Sequence, residues 1–425
     1  MLDIENYLNN FFKGTRKHSL NSIKYFMNEY NNFYKKMKFI HVAGTNGKGS
    51  CVEIISNILI KNGYSVGKFI SPHLIRYNER ISINNTEISD EEMMSLIEEL
   101  KPKISVYNSV SEENLSLFEL ETIMALLYFY RNNVDFVVLE TGLGGLYDAT
   151  NIVNPLVSVI TSIGYDHVHI LGSTLSEIAN QKAGIIKENS NTVFFSQNSE
   201  VDKVIIDTCK RKNNRLHLLS KNDITNYNFD SNYQYFNFKD FKQVPIILKG
   251  TKQIQNAAIC IECMNVLNNL GYKIKKEAII DGLKSVVHKA RIETLSKNPL
   301  IIYDGAHNES AIKNLQSVIN TYYKNYKKIY VVSVLKRKDY NKMLQLLFQD
   351  KNAEFIFTSG NDINRYASSR ELFDAALQYK TTQEISMKTL DDAIKYIMKY
   401  GTNTINFIVG SFYVYGDVKK EVGKF

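Results

Sequence analysis

Phe39-Ile40-His41-Val42-Ala43 leads into Gly44-Thr45-Asn46-Gly47-Lys48-Gly49-Ser50, which leads into Cys51-Val52-Glu53-Ile54-Ile55-Ser56-Asn57-Ile58-Leu59-Ile60. The first run is short and apolar, as a buried parallel strand is, and the third spaces its apolar residues at helical intervals. Between them, glycines let backbone N–H groups converge on an anion, the helix N-terminus adds its dipole, and Lys48 supplies a mobile positive charge. Gly49 separates Lys48 from Ser50, and the first glycine lies too close, so the common Gly-x-x-x-x-Gly-Lys-Ser/Thr pattern is not met. A glycine turn with a solvated lysine is the plain alternative. The strand, turn and helix in sequence favour a phosphate-binding loop.

A chain of 425 residues exceeds one ordinary core and predicts two domains. With 44% hydrophobic and 23% charged residues it has the composition of a water-soluble globular protein. No apolar run is long enough to span a bilayer, and the polar, acidic start Met1-Leu2-Asp3-Ile4-Glu5-Asn6 is not a secretory leader, so a cytoplasmic protein is expected. The four cysteines, Cys51, Cys209, Cys260 and Cys263, form no plausible disulfide framework. Cys260 and Cys263 lie in a helical apolar run without a second ligand pair, which favours buried core thiols over zinc or redox chemistry. The net charge of +8 suits small anionic substrates, but lysines are scattered and form no basic stripe, so neither nucleic acid nor membrane is an expected partner.

Outward from the loop, short apolar runs alternate with helical patterns. Strands are predicted at Val66–Ile70, Val134–Glu140 and Leu156–Thr161, and helices at Ile4–Phe12, Leu20–Tyr34, Glu91–Leu100, Leu117–Tyr130 and Leu175–Ile186. This alternation predicts a parallel sheet with helices on both faces. Residues 220–245 become aromatic and locally alternating, which reads as antiparallel strands at the edge of that sheet. Helical pattern returns over Gln253–Leu270 and Lys276–Val287. Further strands at Leu300–Tyr303, Ile329–Ser333, Phe355–Thr358 and Ile405–Val409, with helices between them, predict a second, smaller, Rossmann-like α/β domain. The predicted class is therefore α/β, with a phosphate-loop domain over 1–289 and a C-terminal domain over 290–425.

Ligands of parallel α/β sheets sit beyond the carboxyl ends of the strands. Ser71 ends one predicted strand, Glu140 ends the next, and Asp166-His167 follow the third. A hydroxyl, a carboxylate and an imidazole beside a phosphate loop can hold a divalent cation; Mg²⁺ favours oxygen donors, and a histidine would admit Mn²⁺. Singly, each has a bland reading: Ser71 as a turn residue before Pro72, Glu140 as a helix cap, His167 as a satisfied core histidine. Glu140-Thr141-Gly142-Leu143-Gly144-Gly145 imitates a dinucleotide turn but lacks the third glycine and the acidic ribose ligand, so a loop shaped for close substrate approach fits better.

Together these residues resemble the folylpolyglutamate synthase/dihydrofolate synthase family of the Mur ligase superfamily. The resemblance runs in order through Gly44–Ser50, Ser71-Pro72-His73-Leu74, Arg76 to Ile81, Gly142–Gly145 with Asp148-Ala149-Thr150-Asn151, and Lys182-Ala183-Gly184-Ile185-Ile186-Lys187. It continues in Gln253 with Asn256-Ala257, Arg291, Asp304-Gly305-Ala306-His307-Asn308, Lys338-Asp339 and Gly410-Ser411-Phe412-Tyr413, and so spans Tyr7 to Val418. It implies an ATP-dependent ligase, acting as a monomer, that joins L-glutamate to dihydropteroate or a reduced folate through an acyl phosphate. It further implies that Gly44, Thr45, Asn46, Gly47, Lys48, Gly49 and Ser50 hold the β- and γ-phosphates, and that Ser71, Glu140 and His167 are Mg²⁺ ligands. Lys182 matches a lysine carried as a carbamate, able to help place a second Mg²⁺; its bland alternative is a lysine paired with an acid. Asn256 is implied at the adenine, Arg291 and Asp304 at the nucleotide from the second domain, and His307 near the phosphates, with closure of a cleft completing the site. Lys48, Lys182 and His167 are thereby the implied catalytic residues.

For the pterin–aminobenzoyl substrate, the candidates are His73, Arg76, Phe118, Thr122 and Asp148. Phe118 offers a ring for stacking on a flat heterocycle, with core packing as the alternative, while a solvated loop arginine is the default for Arg76 and Arg80. The chain departs from the family pattern at Leu146, Gln181, Lys252, His288-Lys289-Ala290, Arg337 and Asn364-Arg365-Tyr366, none of them a proposed phosphate or metal ligand. A Mur-type ligase for another acid and amino acid is the rival within the superfamily. Peptidoglycan-precursor ligases carry a domain ahead of the phosphate loop, and only 43 residues precede Gly44. A nucleotide-driven switch protein is the rival from another class, and it would need no second-substrate pocket.

Overall fold

A computed structural model of the chain describes residues 3–12, 19–360, 362, 364–380, 382–400 and 403–425. The chain forms two compact units: Met1–Ile247 with Gln253–Val286, and Leu248–Lys252 with Val287–Phe425.

Among the described residues, the main sheet of the first unit has eight strands: β1 (Phe39–Ala43), β2 (Val66–Phe69), β3 (Ile81–Ile83), β4 (Thr86–Glu87), β5 (Phe136–Glu140), β6 (Val157–Ile160), β7 (Asn191–Phe195) and β8 (Arg215–Leu219). Their order in the sheet is β4-β3-β2-β5-β1-β6-β7-β8. The strands from β2 across to β8 pair in parallel, whereas β3 and β4 form an antiparallel hairpin at one edge. β1 is buried along its whole length, which is why it carries no alternation of polar and apolar residues. From β1 the chain first builds outward on one side, to β2 and β5, and then on the other, to β6, β7 and β8. The order reverses at β1, and the loops leaving the carboxyl ends of β1, β5 and β6 therefore gather at one crevice.

The helix Lys48–Lys61 buries Ile54, Ile55 and Ile58 completely, each burial contributing about 1.5–3 kcal/mol of transfer free energy. The helices Asp90–Val110, Leu117–Arg131 and Leu175–Ala183 begin with capping boxes, Ser89 with Glu92, Ser116 with Glu119 and Thr174 with Glu177. Each box satisfies backbone N–H groups that the first turn leaves without partners.

Two sequence expectations need correction. The helix expected over Leu20–Tyr34 stops at Glu29, because Asn31 and Asn32 adopt left-handed φ of 55° and 51°, and a 3₁₀ turn follows over Phe33–Lys36. Asparagine tolerates that region better than other side chains, so the pair breaks the helix. The strands expected over 220–245 are antiparallel but do not edge the main sheet. They form a separate three-stranded sheet from β9 (Ile224–Phe229), β10 (Gln234–Phe238) and β11 (Phe241–Ile246). All four cysteines are buried and free.

Among the described residues, the second unit holds six strands: β12 (Glu293–Lys297), β13 (Leu300–Asp304), β14 (Lys327–Val332), β15 (Ala353–Phe357), β16 (Glu384–Met387) and β17 (Thr404–Val409). Their order is β12-β13-β17-β14-β15-β16, parallel except for the β12–β13 pair. Asp304 and Val409 are register partners at the carboxyl ends of β13 and β17, so the two loops that follow lie side by side. Among the described residues no helix is long and apolar enough to cross a membrane.

Candidate functional site

Chain packing at the carboxyl end of β1 shapes the glycine loop. The Thr45 N–H donates to Ser162 O at 2.6 Å, and the Thr45 hydroxyl donates to Gly164 O at 3.0 Å. Thr161 and Ser162, just past β6, direct their hydroxyls at Asn46 O at 2.8 and 3.0 Å. From far along the chain, the Gln253 amide donates to Ser50 Oγ at 3.1 Å, and the Asn256 amide donates to Gln253 Oε1 at 3.0 Å. Gly44 leaves no room for a side chain: a Cβ would lie 1.8 Å from Thr161 Oγ1. Gly44→Ala is accordingly expected to lower stability by about 1–3 kcal/mol, the usual cost of overpacking, read as a fall in unfolding temperature.

Two lysines meet at Gly44. Lys48 Nζ donates to Gly44 O at 3.2 Å and stands 4.0 Å from a Glu140 oxygen, while Lys182 Nζ donates to the same carbonyl at 2.8 Å. Burial, reinforced by the charge of Lys48, lowers the Lys182 amine to about 7, against smaller opposing effects of Asp166 and Asp148. An amine that is half neutral near physiological pH is poised for chemistry that an ordinary lysine cannot do. Glu140 is buried and accepts the Ser71 N–H at 3.2 Å, so contacts run from Ser71 through Glu140 to Lys48, which shares the Gly44 carbonyl with Lys182. His167 caps a short helix with a left-handed φ of 49° and lies 3.9 Å from Asp166. Among the described residues, no three or more His, Cys, Asp or Glu side chains stand close enough to form a metal cluster by themselves. A cation there would draw on the Ser71 hydroxyl as well, and a hydroxyl with a carboxylate is a fitting donor pair for a hard ion.

The acid-side candidates divide. Phe118 packs its ring 5.6 Å from that of Phe69 and lies directly beneath Gly142. His73 packs against Tyr77, ring centres 4.4 Å apart and planes tilted by 59°, and takes the Arg80 Nε–H on its Nδ1 at 2.9 Å, so a neutral His73 carries its proton on Nε2. Arg80 is held in turn by Glu121, at 2.6 Å. Glu121 is buried, its second oxygen has no hydrogen-bond partner, and burial pushes its carboxyl up to about 7 despite the arginine. Thr122 donates back to Phe118 O at 2.7 Å within its helix. Asp148 accepts the Leu143 N–H at 2.8 Å and ties down the Gly142–Gly145 loop. Arg76 stands apart, half exposed and paired at 3.4 and 3.6 Å with Glu87 and Asp90.

A buried relay behind this loop has no signature in the sequence. His41, fully enclosed in β1, contacts Thr150 Oγ1 at 2.8 Å, and the Thr150 hydroxyl donates to Asp148. The Thr150 oxygen can then only accept from His41 Nε2–H, leaving Nδ1 buried without a partner. Burial, and the charge of Lys187, drive its pKa down to about 3, so His41 is neutral. A lone histidine in an apolar strand gives no hint of this, because its partner lies 109 residues away.

In the second unit, Asp304 accepts the Ile292 and Ala306 N–H groups at 3.0 and 2.9 Å, one on each carboxylate oxygen. The Arg291 guanidinium lies over the Phe412 ring at 4.4 Å, and His307, bonded to Gly305 O at 2.9 Å, is 5.3 Å from the same ring. The structure thus brings Arg291, Asp304 and His307 together, the first and last against Phe412, to which the sequence reading gave a place in the Gly410–Tyr413 match but no role.

Comparison with known proteins follows the same division. The model of the Mur ligase middle domain matches residues 42–264, and that of the dihydrofolate synthetase C-terminal domain matches 288–421. A dihydrofolate synthase/folylpolyglutamate synthase of Bacillus subtilis is 37% identical, over 99% of this chain and 98% of the relative. The crystal structure of Mycobacterium tuberculosis folylpolyglutamate synthase complexed with ADP and AMPPCP superposes with a TM-score of 0.89 at 25% identity, over 99% of this chain and 97% of that one. Escherichia coli FolC in complex with DHPP and ADP superposes with a TM-score of 0.84 at 26% identity, over 99% and 96%.

Proposed function

The chain belongs to the dihydrofolate synthase/folylpolyglutamate synthase family of Mur-type ligases, and from that premise we propose how its residues carry the reaction. The protein is an ATP-dependent ligase that adds glutamate to folate-type carboxylates. A carboxylate is a poor electrophile with a poor leaving group. Its oxygen attacks the ATP γ-phosphorus, the bond to the β-bridging oxygen breaks, and ADP leaves an acyl phosphate behind. The glutamate amine adds to the acyl carbon and loses a proton, and the tetrahedral intermediate expels phosphate to leave the amide.

Two anions must meet in the first step, so the residues that matter are those that offset their repulsion. Lys48 and the Gly44–Ser50 amides hold the β- and γ-phosphates, with Asn256 at the adenine. The convergence of Lys48 and Lys182 on the Gly44 carbonyl, with Glu140 4.0 Å from the Lys48 amine, supports this reading. Ser71, Glu140 and His167 would hold Mg²⁺, which when bound supplies positive charge to the transferring phosphoryl group. Lys182 is carried as a carbamate: its neutral amine attacks CO₂, a C–N bond forms and a proton leaves to solvent, turning a cation into an anion able to help hold a second Mg²⁺. The pterin end stacks on Phe118, with His73 Nε2–H offered as a donor. Arg291 and His307 serve the nucleotide phosphates, and Asp304 orders the backbone beside them. The protein works as a cytoplasmic monomer.

Both dihydropteroate and tetrahydrofolate monoglutamate are expected as acids, in keeping with the double name of the B. subtilis relative. The test is phosphate release from ATP with each acid, with and without L-glutamate. Sustained release should require acid and glutamate together. Equal release in all mixtures would remove the ligase reading, and dependence on an acid other than a folate would favour the wider Mur-type alternative.

A further inference from the structure

In the second unit, the backbone around Arg291 is unusual. Ala290 and Ile292 flank it with left-handed φ of 57° and 48°. For a β-branched residue such as Ile292 that conformation is an outlier, kept only where the surroundings over-determine it. Two carboxylates do so here. Asp304 takes the Ile292 N–H, and Glu293 Oε2 takes the Ala290 N–H at 2.6 Å. Glu293 is itself braced by Tyr415, a fully buried residue whose hydroxyl donates to Oε1 at 2.9 Å. The Ala290 carbonyl closes the turn by accepting the Gly305 N–H at 2.9 Å. At Gly305 a Cβ would meet the Phe412 ring at 2.2 Å, so the ring that carries the arginine packs directly against this turn.

We propose that Glu293, braced by Tyr415, is a positioning residue for Arg291: it holds the left-handed turn that sets the guanidinium over Phe412 as a rigid cation for the nucleotide. This rests on the reading of Arg291 as a nucleotide contact. An arginine on a relaxed loop loses conformational freedom each time it grips an anion, whereas here that ordering is complete before the ligand arrives. Loss of Glu293 should therefore weaken nucleotide binding and leave the chemical step alone, which appears as a raised KM for ATP at nearly unchanged kcat.

The experiment compares Glu293→Ala, Glu293→Gln, Tyr415→Phe, Arg291→Ala and the double variant Arg291→Ala/Glu293→Ala in the full chain. Circular dichroism and thermal unfolding identify the variants that fold. Glu293→Ala should raise the KM for ATP about tenfold, roughly the loss of one hydrogen bond to a charged group. Glu293→Gln keeps one acceptor oxygen, and Tyr415→Phe keeps the carboxylate, so both should shift KM less and in the same direction. They carry the test if the alanine variant does not fold. Because the two residues act as one unit, the double variant should be no worse than Arg291→Ala alone. Additive effects, or a raised KM for Arg291→Ala with none for any Glu293 or Tyr415 variant, would overturn the proposal while leaving the nucleotide reading in place. An unchanged KM in Arg291→Ala would overturn both.

Discussion

Lys48→Ala is expected to lower the ligation rate by about 10²–10³-fold, the usual cost of removing one group that stabilises charge in a transition state. The lysine stands at the first turn of its helix with its amine on the Gly44 carbonyl, 4.0 Å from Glu140. In the proposed reaction, a cation there offsets the repulsion between the phosphoryl group and the carboxylate that attacks it. The helix should tolerate the change, because alanine is the best helix former. The measurement is kcat at saturating ATP, folate acid and glutamate, beside the unfolding temperature. A rate within a few-fold of wild type would separate the loop from the chemistry.

Lys182→Met should lower the rate by a comparable factor, and it tests the amine in a second way. The folded-state pKa of Lys182, about 7, lies below the ordinary 10.5. Between those values the unfolded chain binds more protons than the folded one, so raising the pH stabilises the fold through that window. The methionine variant lacks this group, and in CO₂-free buffer the wild-type unfolding temperature should gain on it between about pH 7 and 9. Added bicarbonate should raise wild-type activity more at pH 8 than at pH 6, where the amine is protonated and cannot attack CO₂. Parallel pH profiles in the two proteins would return Lys182 to an ordinary role.

Legibility in the sequence followed the range of the interactions. β1, its glycine loop and the helix after it could be read because local periodicity and turn chemistry agree there. Strand β8 escaped: Arg215, Leu216, His217 and Leu218 are all exposed or half-buried, so its pattern lacks the apolar core of β1 and β5. The β3–β4 hairpin does carry a local signal, Asn84-Asn85 with φ of 52° and 65°, a turn suited to such residues. Residues 220–245 alternate as strands do, but alternation says nothing about which sheet a strand joins. In the site, residue types at strand ends suggested Ser71, Glu140 and His167, whereas Lys182, Asn256 and Arg291 rested on resemblance alone. The supports Thr161, Glu121, His41 and Glu293 were invisible, since each acts through a partner that no local pattern names.

The bond from Gln253 to Ser50 joins residues 203 apart. On the ribosome, where chains fold from the N-terminus as they emerge, β1 and the glycine turn are made early but stay without this strut until the helix Thr251–Asn269 has appeared. Just before Gln253, the chain has already contributed Leu248–Lys252 to the other unit. A nascent or truncated chain ending ahead of Gln253 would therefore carry every residue of the loop and still lack its brace. Nucleotide affinity should be weaker in such a chain than in one that includes the helix.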